Sequence, residues 1–392
     1  MKTRRKAGLL LAALSLPVAL GVTGCSTISE YVSGTDNVEP PAELVRFDAT
    51  VAVQTLWRRN VGAGDSKRRV RLVPAAGDNK VFAADRKGRV RAFDAGTGDP
   101  IWDTDTDLPI SGGPGTGEGL VLVGTSEGEV IALEASDGKI RWRARVSSEV
   151  LAAPRAAQGV AVVRTGDGKL FGLNVADGVR LWVYDRTVPV LTLRGTSAPV
   201  IHAGMAICGF DNGRLVSVAV QDGQPVWDTR VALPRGRTDL ERLVDIDSEP
   251  AVEGDTVYVA TFQGRVAAVD LRSGQVLWRR DMSSHAGIGV DGRALYVTDD
   301  QDYVWALDRS NSASLWRQTK LRGRGLTAPV SYGDFVVVGD QEGYLHWMRR
   351  EDGQFVARQN IDSDGIAAAP LVVGDTLFVY GRGGTLAALK AP

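Results

Sequence analysis

A short pattern recurs along most of this 392-residue chain and constrains its fold more than any other feature. Each copy has an alternating apolar stretch, then a turn containing Asp-Gly or Ser-Gly, then a tryptophan four residues after the turn glycine. Period-two alternation between turn residues is typical of β-strands. The clearest copies end at Trp102, Trp142, Trp182, Trp227, Trp278 and Trp316, the last with Ser312 in place of the glycine. The sequence therefore predicts one structural unit repeated in series.

The spacing of the repeat indicates an all-β, eight-bladed β-propeller with four antiparallel strands per blade. Consecutive tryptophans are 38 to 51 residues apart, and about 40–45 residues with four short strands make one propeller blade. Seven units are complete, and the eighth ends after three strands at the C-terminus. An N-terminal strand with Trp57 is left over, so we expect it to complete the last blade and close the ring. The propeller is predicted to span residues 51–392.

The N-terminus reads as a processed targeting segment. Residues 1–24 combine a basic start with a short apolar run, which is typical of a signal peptide. The sequence VTGC, ending at Cys25, resembles a bacterial lipobox, in which the cysteine sulfur receives a diacylglycerol. Ser26 after the cysteine implies the outer membrane rather than retention at the inner one. Residues 25–50 are polar and contain Pro40 and Pro41, so we expect a flexible tether that leads from the lipidated cysteine to the propeller.

Charge and residue usage argue against several classes of function. The chain has a formal charge of −1, and removal of the four cations in residues 1–24 leaves about −5, which disfavours a general nucleic-acid binder. The second cysteine, Cys208, is expected to be buried in a strand. His202, His285 and His346 show no metal-ligand spacing, and no nucleophile–base pair is evident. We therefore predict a protein with no catalytic residues, no metal and no cofactor.

Two consecutive links between predicted blades are longer than their counterparts. Trp142 is followed by the next inner-strand proline after 12 residues, whereas this distance is 17 residues after Trp182 and 23 after Trp227. It is also 17 residues from Trp57 to Pro74, so length alone does not identify a site. The first long link contains Leu191, Leu193 and Arg194, and the second ends near Asp245 and Asp247. Since propeller topology brings every link to one face, we expect the two links to be neighbours. Enlarged links on a single face often mark a binding surface. The alternative is that the leucines turn inward while Arg194 pairs with Asp245 or Asp247.

The repeat resembles that of quinoprotein-type propellers from about residue 51 to the end. With its lipobox, the LTLRG sequence before one blade and the DID sequence before the next, the chain looks like a member of the BamB family of outer-membrane lipoproteins. That resemblance implies a scaffold of the β-barrel assembly machinery, anchored at the periplasmic face of the outer membrane. It also implies that the periplasmic domains of BamA, the central barrel-inserting subunit, are bound by Leu191, Leu193, Arg194, Asp245 and Asp247.

Other partners and functions stay open from the sequence. Unfolded outer-membrane proteins are further candidate partners, because exposed strand edges accept an added strand. The rival functions are a quinone-dependent dehydrogenase-like propeller and a cell-wall glycan binder.

Overall fold

The computed structural model describes residues 40–65, 70, 72–185, 197–234, 237–238 and 244–392. These residues form 32 strands and no helix, arranged as eight four-stranded antiparallel sheets. Each sheet is one blade, and within a blade the strands follow one another in space in the order of the chain, except at the point where the ring closes. The predicted eight-bladed β-propeller is confirmed.

The first four blades are continuous in sequence. Their strands are β2 (Ala75–Gly77), β3 (Lys80–Ala84), β4 (Arg89–Asp94) and β5 (Pro100–Asp105) in blade one; β6 (Ile110–Gly117), β7 (Leu120–Thr125), β8 (Glu129–Glu134) and β9 (Ile140–Arg145) in blade two; β10 (Arg155–Ala157), β11 (Val160–Arg164), β12 (Leu170–Asn174) and β13 (Arg180–Tyr184) in blade three; and β14 (Val200–His202), β15 (Met205–Gly209), β16 (Arg214–Ala219) and β17 (Pro225–Arg230) in blade four.

Blades five to seven repeat this arrangement, and the eighth blade joins the two ends of the propeller. Their strands are β18 (Ala251–Glu253), β19 (Thr256–Ala260), β20 (Arg265–Asp270) and β21 (Val276–Asp281) in blade five; β22 (Gly287–Val290), β23 (Ala294–Thr298), β24 (Val304–Asp308) and β25 (Ser314–Gln318) in blade six; β26 (Val330–Tyr332), β27 (Phe335–Gly339), β28 (Tyr344–Arg349) and β29 (Phe355–Asn360) in blade seven; and β30 (Leu371–Val373), β31 (Thr376–Tyr380), β32 (Thr385–Lys390) and β1 (Gln54–Asn60) in blade eight.

The ring is closed by β1, as predicted. It pairs antiparallel with β32 in a register that joins Gln54 to Lys390 and Asn60 to Thr385. Trp57 on β1 is 6% exposed and its ring packs against Phe93 and Phe378, with centroids 6.4 and 5.8 Å away. The first strand of the propeller therefore joins the aromatic core between blades eight and one.

The repeated tryptophans form the joints between blades. In every case the indole N–H donates a hydrogen bond to a backbone carbonyl of the next blade, for example Trp102 to Ala135 at 3.1 Å and Trp182 to Val220 at 2.9 Å. The ring lies against the turn glycine of that next blade, so closely that a Cβ on Gly138 would come within 2.6 Å of Trp102. Where this glycine is present it makes room for the tryptophan of the preceding repeat, which explains the fixed spacing of the pattern; blade six has Ser312 in its place.

The N-terminal segment before β1 packs on blade seven. The amides of Thr50 and Val51 donate to the Val356 carbonyl, and the Ala42 amide donates to the Arg322 carbonyl. The Phe47 ring stacks on Phe355 with centroids 5.5 Å apart. This differs from the expected flexible tether through residue 50, because residues 42–51 are held against the propeller by backbone and aromatic contacts.

Candidate partner-binding face

The described parts of the links between blades lie on one face of the ring, together with the turns between the second and third strands of each blade. We call it the link face, exemplified by residues 231–234 and 244–250 of one link and by the turn 210–213. An antiparallel blade of four strands returns the chain to the face from which it started. The hydrogen bonds agree: Val146 donates to Gly128 at 2.8 Å, and Val231 donates to Gly213 at 2.9 Å, each joining a link to the turn of its own blade.

The second long link is anchored between blades four and five. The Ile246 amide donates to the Phe210 carbonyl at 3.3 Å, and the Phe262 amide donates to the Asp245 carbonyl at 2.9 Å. Asp245 and Ile246 are both 0% exposed, whereas Asp247 is partly exposed. The two carboxylates predicted for a common surface thus differ: Asp245 is inside the link, and Asp247 lies beside the central channel.

The first long link contributes only its ends to the described structure. Leu191, Leu193 and Arg194 fall in residues 186–196, outside the described residues. The chain enters this link from Asp185, which follows β13, and leaves it at Ser197, which is 1% exposed. The Ser197 hydroxyl accepts a hydrogen bond from the Gly209 amide at 3.2 Å. Both described ends of the first link therefore lie at the link face. The first link leads into blade four, and the second link starts from that same blade.

A buried charge pair that the sequence analysis missed lies beneath this region. Arg164, at the end of β11, is 0% exposed, and its guanidinium lies 4.3 Å from the centroid of the Phe210 ring. Its Nη2 is 3.5 Å from Oδ2 of Asp211, and its Nη1 donates to the Thr165 carbonyl at 2.7 Å. Burial raises the pKa of the Asp211 carboxyl, and Arg164 opposes that shift.

The sequence did contain a signal for this pair. At the end of the second strand most blades have a small residue, such as Ala84, Gly124 or Ala260, and blade three has Arg164. An arginine at a position of small residues requires a buried anion or a ring face, since an unpaired buried charge is costly. Phe210 and Asp211 supply both, and Phe210 also accepts the Ile246 hydrogen bond of the second link.

Cys208 is buried in β15, as expected. It is 0% exposed, and its thiol lies 3.4 Å from the Ser197 carbonyl. Burial raises the pKa of the Cys208 thiol to about 11. The thiol is therefore protonated at neutral pH and lacks the thiolate character that a reactive cysteine needs.

The central channel contains a cavity of about 300 Å³ that is lined from several blades. Much of its lining is formed by alanines in the segments just before the inner strands, and Asp247, Ser248 and Glu249 are the polar groups. In the described part of the chain, no three His, Cys, Asp or Glu side chains are grouped closely enough to hold a metal ion. His346 is buried in blade seven, and its Nε2 bonds to Asp340 at 2.9 Å.

Comparison with known proteins identifies the family. A family model described as "Outer membrane protein assembly factor BamB" matches residues 86–318 and 314–391. A Pseudomonas aeruginosa protein of that description is 48% identical over 373 residues, which is 95% of this chain and 97% of its own. The chain belongs to the BamB family. An Escherichia coli BamB is 37% identical over 386 residues, covering 96% of this chain and 98% of that protein.

Solved structures agree with this assignment. The crystal structure of BamB from Moraxella catarrhalis has a TM-score of 0.80 at 26% identity and covers 86% of this chain and 100% of that one. A quinohemoprotein alcohol dehydrogenase from Comamonas testosteroni has a TM-score of 0.68 at 13% identity, over 86% of this chain and 76% of its own. At that identity the second similarity shows a shared propeller fold alone.

Two sequence predictions for this BamB-family chain concern the membrane. Cys25 and the signal peptide fall in residues 1–39, outside the described residues. Within the described ranges, no helix has the length and apolar character needed to span a bilayer.

Proposed function

We propose that this chain is a non-catalytic lipoprotein scaffold of the outer-membrane β-barrel assembly machinery. Its role as an outer-membrane protein assembly factor follows from membership of the BamB family. The finer proposal is that it binds the periplasmic domains of BamA through Leu191, Leu193, Arg194, Asp245 and Asp247. It keeps those domains in a productive arrangement while client barrels fold and insert.

The observation that carries the proposal is that two enlarged links enter adjacent blades on the same face. Asp185 and Ser197 flank the first link, which leads into blade four, and the Ile246 to Phe210 hydrogen bond attaches the end of the second link to that same blade. Apolar side chains at the centre of such a surface supply most of the binding energy, and charges set its orientation. Since Asp245 is fully buried, we propose that it acts by holding the second link in place, with Asp247 nearer the contact.

Anchoring by acyl chains on Cys25 completes the proposal. Each buried CH₂ contributes about 0.8 kcal/mol, so several chains on one residue give stable attachment without a spanning segment. Because residues 42–51 are held on blade seven, the stretch that can separate the lipid from the propeller is residues 26–41 at most. The propeller is then confined close to the periplasmic face of the outer membrane, where the assembly machinery works.

Leu191→Asp tests the proposal directly. We expect this variant to lose most BamA from a mild-detergent co-purification, because a carboxylate replaces an apolar contact at the interface. Leu315→Asp is the matched control, since Leu315 is 55% exposed on the outer strand of blade six, away from the long links. Equal recovery of BamA with both variants, at equal thermal stability, would reject the link face as the binding surface.

A further inference from the structure

The two described ends of the first long link are attached to two turns of neighbouring blades. These are the turn 165–169 of blade three and the turn 210–213 of blade four. In the first turn, the Lys169 ammonium is 3.4 Å from the carboxylate of Asp185, where the link begins. At the other end, the Ser197 hydroxyl accepts a hydrogen bond from the amide that directly precedes the second turn. The relative position of the two turns therefore sets the relative position of the ends of the link.

The turn 210–213 also holds the second long link near both of its ends. At the start of that link, the Val231 amide donates to the Gly213 carbonyl at 2.9 Å. Near its end, the Ile246 amide donates to the Phe210 carbonyl at 3.3 Å. A shift of this one turn would therefore move both long links.

Arg164 joins the two turns from inside the propeller. Its Nη1 donates to the Thr165 carbonyl in the blade-three turn at 2.7 Å. On the blade-four side, the guanidinium lies 4.3 Å from the centroid of the Phe210 ring, and Nη2 is 3.5 Å from Oδ2 of Asp211. The side chain is 0% exposed, and its planar guanidinium contacts both blades at once. Arg164 thus connects the same two blades as the first link.

Stability alone is a poor reason for a charge pair at this place. Among the described residues, Nε and Nη2 of Arg164 and Oδ1 of Asp211 make no hydrogen bond. A buried ion pair with incomplete hydrogen bonding is costly, and apolar residues of similar volume are often as stable. Blade eight has Tyr380 at the same register position, and its hydroxyl reaches the next blade by a 2.9 Å hydrogen bond to the Ala84 carbonyl. A neutral side chain can therefore connect two blades from this position.

We propose that Arg164 is a positioning residue for the partner surface. Acting through the turns 165–169 and 210–213, it holds both long links in the arrangement that BamA recognises. The inference rests on the proposed binding of BamA by these links and assigns the residue that fixes their geometry. Loops that are already in place before contact lose less conformational entropy on binding, so their fixation raises affinity without any contact between Arg164 and the partner.

The affinity of the purified mature lipoprotein for detergent-solubilised BamA tests this role. Arg164→Met removes the charge and keeps an unbranched side chain that can pack on Phe210. We expect its Kd to rise about tenfold. The double variant Arg164→Met, Asp211→Asn leaves no unpaired buried carboxylate and should bind as weakly. Tyr380→Phe is the matched control, because it loses an inter-blade contact at the same position of blade eight, and it should bind like the parent.

A double-mutant cycle with Leu191→Ala separates positioning from a general loss of stability. Because Arg164 is proposed to act through the link that contains Leu191, Arg164→Met should raise the Kd only about twofold once Leu191 is replaced. A loss of stability alone would raise it equally in both backgrounds. Equal losses in the two backgrounds, or parent-like affinity of both Arg164 variants, would overturn the positioning role. Unchanged binding by Leu191→Ala would instead reject the binding surface itself, so the two failures are distinguishable.

Hydrogen exchange of the free lipoprotein measures the cause directly. Arg164→Met should speed exchange in peptides that cover residues 197–213 and 244–250, because the turn that holds these segments loses its attachment to blade three. Tyr380→Phe should leave exchange in both peptides unchanged. Parent-like exchange of these peptides in the Arg164 variants would show that Arg164 does not position the links.

Discussion

At the scale of single residues, the joint between two blades depends on the residue that faces each tryptophan. Gly274, a turn glycine with φ of 70°, lets the Trp227 ring approach very closely. A Cβ added at Gly274 would lie 2.7 Å from that ring. Blade six has Ser312 at this position with φ of 64°. A non-glycine residue in the left-handed region is strained. The joint between blades five and six is therefore weaker than its neighbours.

Replacing this serine with glycine should strengthen the propeller. We expect Ser312→Gly to raise the free energy of unfolding by about 1 kcal/mol, because it relieves the left-handed strain and lets Trp278 pack more closely. The reverse change, Gly274→Ser, should lower it by about 1–3 kcal/mol, since the new Cβ meets the Trp227 ring. Urea unfolding followed by tryptophan fluorescence measures both. Equal midpoints for the two variants and the parent would mean that turn conformation does not limit the joint.

At the scale of elements, the N-terminal segment is held by two arginines of blade seven and the link before it. Arg324 Nη1 donates to the Ala42 carbonyl at 3.0 Å, and Arg358 Nη1 donates to the Val45 carbonyl at 2.9 Å. Arg358 Nε also donates to Nδ1 of His346 at 3.0 Å, so His346 must carry its proton on Nε2. Burial lowers the pKa of His346 and keeps it neutral in this role.

Loss of Arg358 should release this segment from the propeller. Arg358→Gln removes the hydrogen bond to Val45 and the stacking of the guanidinium on Phe47, 5.0 Å from the ring centroid. We expect faster hydrogen exchange in a peptide that covers residues 42–50, with the blades other than blade seven unchanged. Arg349→Gln is the control, because Arg349 pairs with Asp352 at the surface. Unchanged exchange in the Arg358 variant would show that the backbone contacts hold the segment alone.

The strands could be predicted from sequence because their signals are local. An Asp-Gly turn, an alternating stretch and a tryptophan at fixed spacing specify each blade within about 45 residues. The docking of residues 42–51 could not be predicted, because Phe47 contacts Phe355, which is distant in the sequence. The same holds for Asp245: its position in a link was predicted, but its burial depends on the turns at Phe210 and Phe262. Arg164 could be recognised as an exception at a repeat position that usually has a small residue, but nothing in the sequence identified Asp211 as its partner.

At the scale of the whole molecule, eight similar blades stabilise one another as a closed ring. An open array would leave the apolar faces of its two end blades exposed, and closure covers them. Here closure depends on β1 alone, which brings Trp57 to Phe378 and pairs with β32 along its full length. The sequence predicted this arrangement, because the last repeat contains three strands and the N-terminal strand with Trp57 belongs to no other repeat. Binding surfaces on the link face keep their relative positions only while that closure holds.

A circular permutant tests closure while keeping the strand pairing of the ring. Gln54 lies opposite Lys390, so an Asn-Gly turn can join residue 392 to residue 52 as a hairpin, with new termini opened in the turn at Ala203 and Gly204. We expect this permutant to be monomeric, with an unfolding midpoint close to that of residues 52–392, since both proteins lack the segment docked on blade seven. A truncated chain that starts at residue 61 should instead self-associate or unfold at much lower urea, because the β32 edge and the Phe378 ring become exposed. Sedimentation and urea titration compare the three proteins. A truncated monomer as stable as the parent would show that the ring does not need β1.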